Sequence, residues 1–101
     1  MEKNMSKIEM TREFPGLTAD ACFEMCVSLV EKIGYTLFKK RDIANLIICN
    51  GFVENANVDL SLSVPFSDPT SMRVNISSEK LDEKELIAEA DRILAIFSSN
   101  I

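Results

Sequence analysis

Positions 57–67 alternate strictly between apolar and polar residues, which predicts one strand of a β-sheet. The apolar set consists of Val58, Leu60, Leu62, Val64 and Phe66. A strand with this period of two has one dry face and one solvated face. Because antiparallel sheets can leave one face in water whereas parallel sheets are covered on both sides, we expect an open antiparallel sheet with helices on one face.

Shorter alternating or apolar segments predict four more strands. They lie at about 8–14, 35–37, 45–53 and 72–78. Pro15-Gly16 ends the first of them, and Pro69 favours a turn before the last. A charged cluster follows the second strand and is expected to form a solvated turn: Lys39, Lys40, Arg41 and Asp42.

The pair Asn50-Gly51 interrupts the apolar segment 45–53 and has two interpretations. Asn-Gly is a strong hairpin signal, so the strand could end at Cys49. We favour a β-bulge at Gly51, because Phe52-Val53 continues the apolar run. The polar segment 54–57 then forms the turn.

Helical spacing predicts two helices. The first runs over about 19–33, with Thr18 as its N-cap and Gly34 at its end. The second runs over about 83–98, and Asp82 with Glu85 forms a capping-box pattern at its start. Its apolar stripe contains Leu86, Ala90, Ile93 and Phe97, flanked by Ile87 and Leu94. The predicted fold is therefore α+β, in the order β-α-β-β-β-β-α, with about five antiparallel strands and two helices on one face.

This order of elements resembles the TATA-binding-protein-like and START-like helix-grip superfold. The resemblance is carried by segments 8–14 and 19–33, the four strand segments within 35–78, and segment 86–97. It implies a curved antiparallel sheet that wraps the C-terminal helix. Because unrelated functions occur on one superfold, it implies little about activity.

The composition indicates one folded domain, 1–101, of which residues 1–6 are expected to be flexible. Hydrophobic residues make up 47% and charged residues 27%, as in soluble globular proteins. No apolar run approaches the roughly 20 residues that cross a bilayer, and the charged start shows no secretion signal. We therefore expect a cytoplasmic protein without a membrane partner. The net charge of −5 argues against nucleic acid as a partner.

No motif for catalysis or metal binding stands out. The chain has no histidine, the usual general base. Cys22 and Cys26 share one helix face, but with only Cys49 to add, buried thiols are expected rather than a metal site. The acidic residues of the second helix, Glu89 among them, are expected on its solvated face. The sequence predicts no catalytic residue, no metal ligand, no cofactor and no enzyme.

The first helix carries more apolar surface than one sheet can cover, since its apolar residues fill an arc of about 200° on a helical wheel. If Cys26 faces the sheet, two shoulders remain, formed by Met25 with Leu29 and by Phe23 with Val27. Loops or the second helix could cover them within the monomer. Alternatively, they contact a protein partner or a second copy of the chain.

These observations predict a small, non-catalytic interaction module that self-associates or docks on a protein through the first helix. Lys39, Lys40 and Arg41 form a local basic group and are candidates for electrostatic contact with an acidic partner. The alternative is a carrier or sensor of a small apolar ligand, held between the sheet and the C-terminal helix.

Overall fold

The computed structural model describes residues 5–100 and contains one five-stranded antiparallel sheet with two helices. The elements follow the order β1 (Ser6–Glu13), α1 (Ala19–Leu29), β2 (Tyr35–Arg41), β3 (Leu46–Val53), β4 (Ala56–Ser63), β5 (Ser71–Ser78) and α2 (Glu83–Ser99). The predicted α+β class and order are confirmed. Among the described residues, no helix has the length and apolar character needed to cross a bilayer.

In the sheet the strands lie in the order β1-β5-β4-β3-β2, and all neighbours are antiparallel. The two edge strands, β1 and β2, are consecutive in the chain, so α1 carries the chain from one edge of the sheet to the other. Strands β2 to β5 follow one another as antiparallel hairpins, each connected by a loop. Both sheet edges are therefore formed by strands that flank α1.

Burial alternates along the central strands and shows which face the helices cover. In β4, Val58 and Leu60 are buried, whereas Asn57 and Asp59 are exposed. The buried residues of both helices join the same core as these strand residues. We call the opposite face of the sheet, which neither α1 nor α2 covers, the open face.

Helix α2 has the caps and stripe that the sequence predicts. The Asp82 carboxylate accepts from the Glu85 backbone amide at 2.8 Å, and the Glu85 side chain accepts in return from the Asp82 amide. Leu86, Ala90, Ile93, Leu94 and Phe97 are buried. At roughly 1.5–3 kcal/mol for each large apolar side chain, this stripe contributes as much as a small domain's net stability.

Helix α1 begins where expected but ends four residues early. Thr18 accepts a hydrogen bond from the Ala21 amide, while the helix stops at Leu29 and continues as turns to Gly34. Gly34 has φ +98°, a conformation that favours glycine. The turns bring Tyr35 close beneath the helix, because the Tyr35 amide donates to the Val30 carbonyl.

The interpretation of Asn50-Gly51 was wrong in both forms. β3 pairs with β4 without interruption from Leu46 to Val53, so the pair is neither a turn nor a bulge. Gly51 is needed for space, since a Cβ atom there would lie 2.8 Å from the Tyr35 ring. The β3–β4 turn is Glu54-Asn55, within the expected segment 54–57, and both residues have positive φ as in a type I′ hairpin.

Three other boundaries also differ from the prediction. The basic cluster is not a turn, because Lys39, Lys40 and Arg41 belong to β2. β4 ends at Ser63, so Phe66 lies in the following loop and is exposed rather than buried. Of residues 1–6, predicted to be flexible, positions 1–4 lie outside the described residues and Ser6 begins β1.

Candidate functional site on the open face

A row of apolar side chains lies uncovered on the open face beside the β2 edge. It consists of Leu46, Ile48 and Phe52 of β3 with Phe38 of β2, and we call it the apolar row. Phe38 is 79% exposed and Phe52 is 70% exposed, while Leu46 and Ile48 are partly buried. Exposed apolar residues grouped in this way are typical of binding surfaces in soluble proteins.

The alternation of β3 explains why this row faces solvent. β3 is apolar at nearly every position, yet only one face of the sheet is covered by helices. Ile47 and Cys49 point into the core and are buried, so the intervening Ile48 must lie on the open face. A strand with this composition would be covered on both sides in a parallel sheet.

A β-bulge in β2 adds Phe38 to the row. The pairing with β3 shifts between Leu37, opposite Cys49, and Lys39, opposite Ile48, which leaves Phe38 as the extra residue. Phe38 and Ile48 line one concavity on the open face, of about 580 Å³, together with Thr36, Leu37, Cys49, Asn50 and Asp59. The concavity has room for apolar side chains of another molecule.

A polar cluster interrupts the apolar row, because Asn50 occupies the open face of β3 between Ile48 and Phe52, and it extends to the β4 side. The Asn50 Nδ2 group donates to Asn57 Oδ1 at 2.7 Å and to Asp59 Oδ1 at 2.9 Å. It also approaches the Val58 carbonyl at 3.3 Å. These bonds hold the Asn50 amide flat against β4 and leave the Asp59 carboxylate on the open face.

Basic side chains border the apolar row on the β2 side. Lys39 is paired with Ile48 and Arg41 with Leu46, so both basic residues share the open face with the row. Lys40 lies on the opposite face, where its Nζ atom is 3.1 Å from Asp42 and 6.0 Å from the centre of the Phe23 ring. The predicted basic group is therefore divided between the two faces of the sheet.

The monomer covers much of the two α1 shoulders. Phe23 is 5% exposed and Leu29 is 6% exposed, whereas Met25 and Val27 are partly buried against the core. Phe23 and Val27 line a cavity of about 350 Å³ with residues of the β2–β3 hairpin: Lys40, Asp42 and Asn45. Met25 and Leu29 line another hollow with Asn100 at the end of α2. The α1 shoulders thus offer less apolar surface than the open face.

Glu89 is buried, in contrast to the solvated position expected for it. Its Oε2 atom accepts from the Tyr35 hydroxyl at 2.6 Å, and its two oxygens accept from Arg92 at 2.6 and 2.7 Å. Burial would raise the pKa of Glu89, but the bonds from Arg92 and Tyr35 outweigh it and lower the pKa. The carboxylate is fully paired, so it is suited to holding α2 in place rather than to accepting a proton from a substrate.

The three cysteines are buried and unpaired, as predicted. Burial raises the pKa of Cys49 to about 12. For Cys26, the hydrogen bond with Cys22 and burial raise the pKa far above the ordinary range. The Cys26 Sγ atom lies 3.8 Å from Met72 Sδ. Among residues 5–100, no three cysteine or carboxylate side chains are grouped closely enough to hold a metal ion.

The sequence pattern drew attention to α1, whose partner contact stays a prediction, and the apolar row was not among the predicted contacts. The available signal was the run Leu46 to Val53, whose apolar residues fall on both faces of a strand. In a sheet with one covered face, half of them must be exposed. The position of Phe38 had no such signal, since the bulge depends on how β2 pairs with β3.

Comparisons of the chain with protein-family models, with curated proteins and with solved structures found no match. The resemblance to the helix-grip superfold thus rests on the order of elements alone.

Proposed function

We propose that this protein is a non-catalytic interaction module and that it binds a segment of another protein on the apolar row of its open face. The observation that carries the proposal is the exposure of Phe38 and Phe52, 79% and 70%, on a sheet face that none of residues 5–100 covers. Aromatic residues with this exposure are common anchors of protein interfaces.

The size of the row favours a segment over a whole domain as the occupant. A phenylalanine carries roughly 150–250 Å² of surface, so the two exposed rings present on the order of 300 Å² of apolar area. A stable interface between domains buries about 800 Å² on each side. The row therefore suits the centre of a small interface, in which one segment of a partner supplies the matching side chains.

Pairing of two copies through the β2 edge is disfavoured. The bulge at Phe38 interrupts the edge, and Lys39, Lys40 and Arg41 occupy its second half. Bulges and lysines are the common means by which proteins protect an edge strand from pairing with another chain. Face-to-face pairing of two copies would bring the Asp59 carboxylates into a dry interface, which is costly.

Docking through α1 and transport of a small apolar ligand remain as two alternative functions. Docking through α1 would use Met25, the more accessible residue of its shoulder. The carrier function would place an apolar ligand between the sheet and α2, where Leu86, Ile93 and Phe97 are fully buried. No specific observation favours the carrier function, and native mass spectrometry of the freshly purified chain would reveal a retained ligand as added mass.

Site-specific photo-crosslinking in cells tests the proposed function. The photoreactive residue p-benzoylphenylalanine replaces Phe38, Met25 or Ile87 in three separate variants. Ile87 is the matched control, because it is an exposed apolar residue on α2, far from the open face. We expect a discrete adduct with one partner from the Phe38 position and none from the Ile87 position.

A second substitution tests whether the adduct depends on the apolar row. The same adduct should disappear when Ile48→Asp is added, since this change places a charge in the apolar row without touching the core. An adduct from Met25 alone would assign binding to α1 instead. An adduct of twice the chain mass would show self-association, and equal labelling from all three positions, or none from Phe38, would contradict the proposal.

A further inference from the structure

We propose that the segment bound on the apolar row is an amphipathic helix whose flank beside β2 is acidic. This inference rests on the proposed function and specifies the partner's chemistry. It follows from the direction of the row, from the charges on its two sides and from the hydrogen bonds that the open face can offer.

The apolar row runs along β3. Leu46, Ile48 and Phe52 lie on one face of the strand, with Asn50 between Ile48 and Phe52, so the row spans about 20 Å at roughly 3.4 Å per residue. A helix of about 13 residues has this length. Its apolar stripe can contact Ile48 and the Phe38 ring in the concavity of about 580 Å³.

The backbone of the sheet favours a helix over an extended peptide. The amide and carbonyl groups of β3 bond to β2 and β4, so the open face offers side chains only. An extended peptide lying on that face would leave its own backbone groups without partners, which is unfavourable on an apolar surface. A helix satisfies its backbone groups internally and brings side chains alone to the contact.

The charged side chains beside the apolar row indicate which flank of the bound helix is acidic. Lys39 and Arg41 share the open face on the β2 side of the row, and neither forms an ion pair with any described residue. On the β4 side, Asp59 accepts from Asn50, and Lys7 of β1 lines a concavity with Ile48 and Asp59, so an acidic and a basic side chain offset each other there. Farther across the face, Arg73 and Glu9 approach each other at 3.8 Å. Two unpaired cations beside an apolar row complement carboxylates on the facing flank of a partner.

Nuclear magnetic resonance titration of the full chain tests this inference. Two synthetic helical peptides of about 13 residues carry the same leucine stripe, and their polar positions are filled with glutamate in one and lysine in the other. We expect the glutamate peptide to shift the amides of β2 and β3 and to bind more tightly than the lysine peptide. The preference should weaken as salt is raised.

Charge reversal on the protein provides the matched comparison. Lys39→Glu with Arg41→Glu should weaken binding of the glutamate peptide about tenfold, as loss of two exposed ion pairs implies. Lys32→Glu with Lys84→Glu makes the same change in net charge on exposed residues of the helix side and should change the affinity less than about twofold. Circular dichroism of each variant confirms that it folds.

Three outcomes would overturn the inference: tighter binding of the lysine peptide, equal weakening by both double variants, or no shift in β2 and β3 with either peptide. Each leaves the photo-crosslinking result at Phe38 unaffected. A partner captured at Phe38 together with any of these outcomes would keep the interaction site and reject the acidic helix. Loss of the Phe38 adduct would reject the site itself.

Discussion

The Tyr35 hydroxyl donates a hydrogen bond of 2.6 Å to Glu89 Oε2, and so joins the first residue of β2 to the middle of α2 across 54 positions of the chain. Arg92 completes the arrangement, because its guanidinium binds both Glu89 oxygens and donates to the Ile33 carbonyl at 3.1 Å. One carboxylate therefore connects α2, the turns after α1 and the edge of the sheet.

Removal of the Tyr35 hydroxyl should destabilise the protein without changing its fold. Tyr35→Phe keeps the buried ring and removes one donor from a buried carboxylate. A hydrogen bond to a charged group contributes about 1.5–3 kcal/mol, so the free energy of unfolding should fall by about that amount. Urea denaturation followed by circular dichroism measures it. The exposed Phe38→Leu serves as the control and should change stability by less than about 0.5 kcal/mol.

The stabilising effect of Glu89 should depend on pH. Its pKa in the folded protein is lowered from the ordinary 4.5, so its contribution is fully present above that ordinary value and is lost as pH falls through the folded pKa. Glu89→Gln should therefore lower the melting temperature at pH 7, and the difference from the parent should shrink below about pH 4.5. The exposed Glu24→Gln is the control. A difference that stays constant down to acid unfolding would contradict the assignment.

Gly51 should not tolerate a side chain. A Cβ atom there would lie 2.8 Å from Tyr35 Cδ2 and 3.1 Å from the Gly34 carbonyl oxygen. The Tyr35 ring cannot move away easily, because its hydroxyl is held by Glu89. Gly51→Ala should lower the free energy of unfolding by about 1–3 kcal/mol, as overpacking does elsewhere. Gly16→Ala, where no atom lies within 4 Å of the added Cβ, should leave stability nearly unchanged.

Two neighbouring isoleucines test which face of β3 is covered. Ile47 is fully buried, so Ile47→Ala should lower the free energy of unfolding by about 2–5 kcal/mol through the cavity it creates. Ile48 lies on the open face, and Ile48→Ala should cost less than about 1 kcal/mol. Chemical denaturation of the two variants compares them directly. Equal losses would mean that both faces of β3 are covered.

Much of the fold could be predicted from local patterns. The strict alternation of 57–67 predicted an antiparallel sheet with one solvated face, and Thr18 and the Asp82–Glu85 pair marked the starts of the two helices. These features are local, since a period or a cap depends on residues a few positions apart. They agree with the structure because neighbouring positions alone determine them.

The errors arose where a distant residue decides the outcome. Gly51 was predicted to lie in a turn or a bulge, but it is glycine because the Tyr35 ring, 16 positions earlier in the chain, leaves no room for a side chain. Glu89 was predicted to be solvated, but it is buried because Tyr35 and Arg92 donate hydrogen bonds to its carboxylate. The cover of the α1 shoulders also depends on distant elements, since the β2–β3 hairpin and the end of α2 lie beside them, and partner contact through these shoulders stays a prediction.

Element types and order, the one-sided sheet and the apolar stripe of α2 could be predicted from the sequence, because each depends on the period of consecutive residues. Which apolar residues remain uncovered depends on how the strands and helices pack. That outcome depends on the pairing of β2 with β3, on the bulge that releases Phe38, and on both helices lying on the same face. Burial is a property of the assembled layers, so no single segment could show that the apolar row stays exposed.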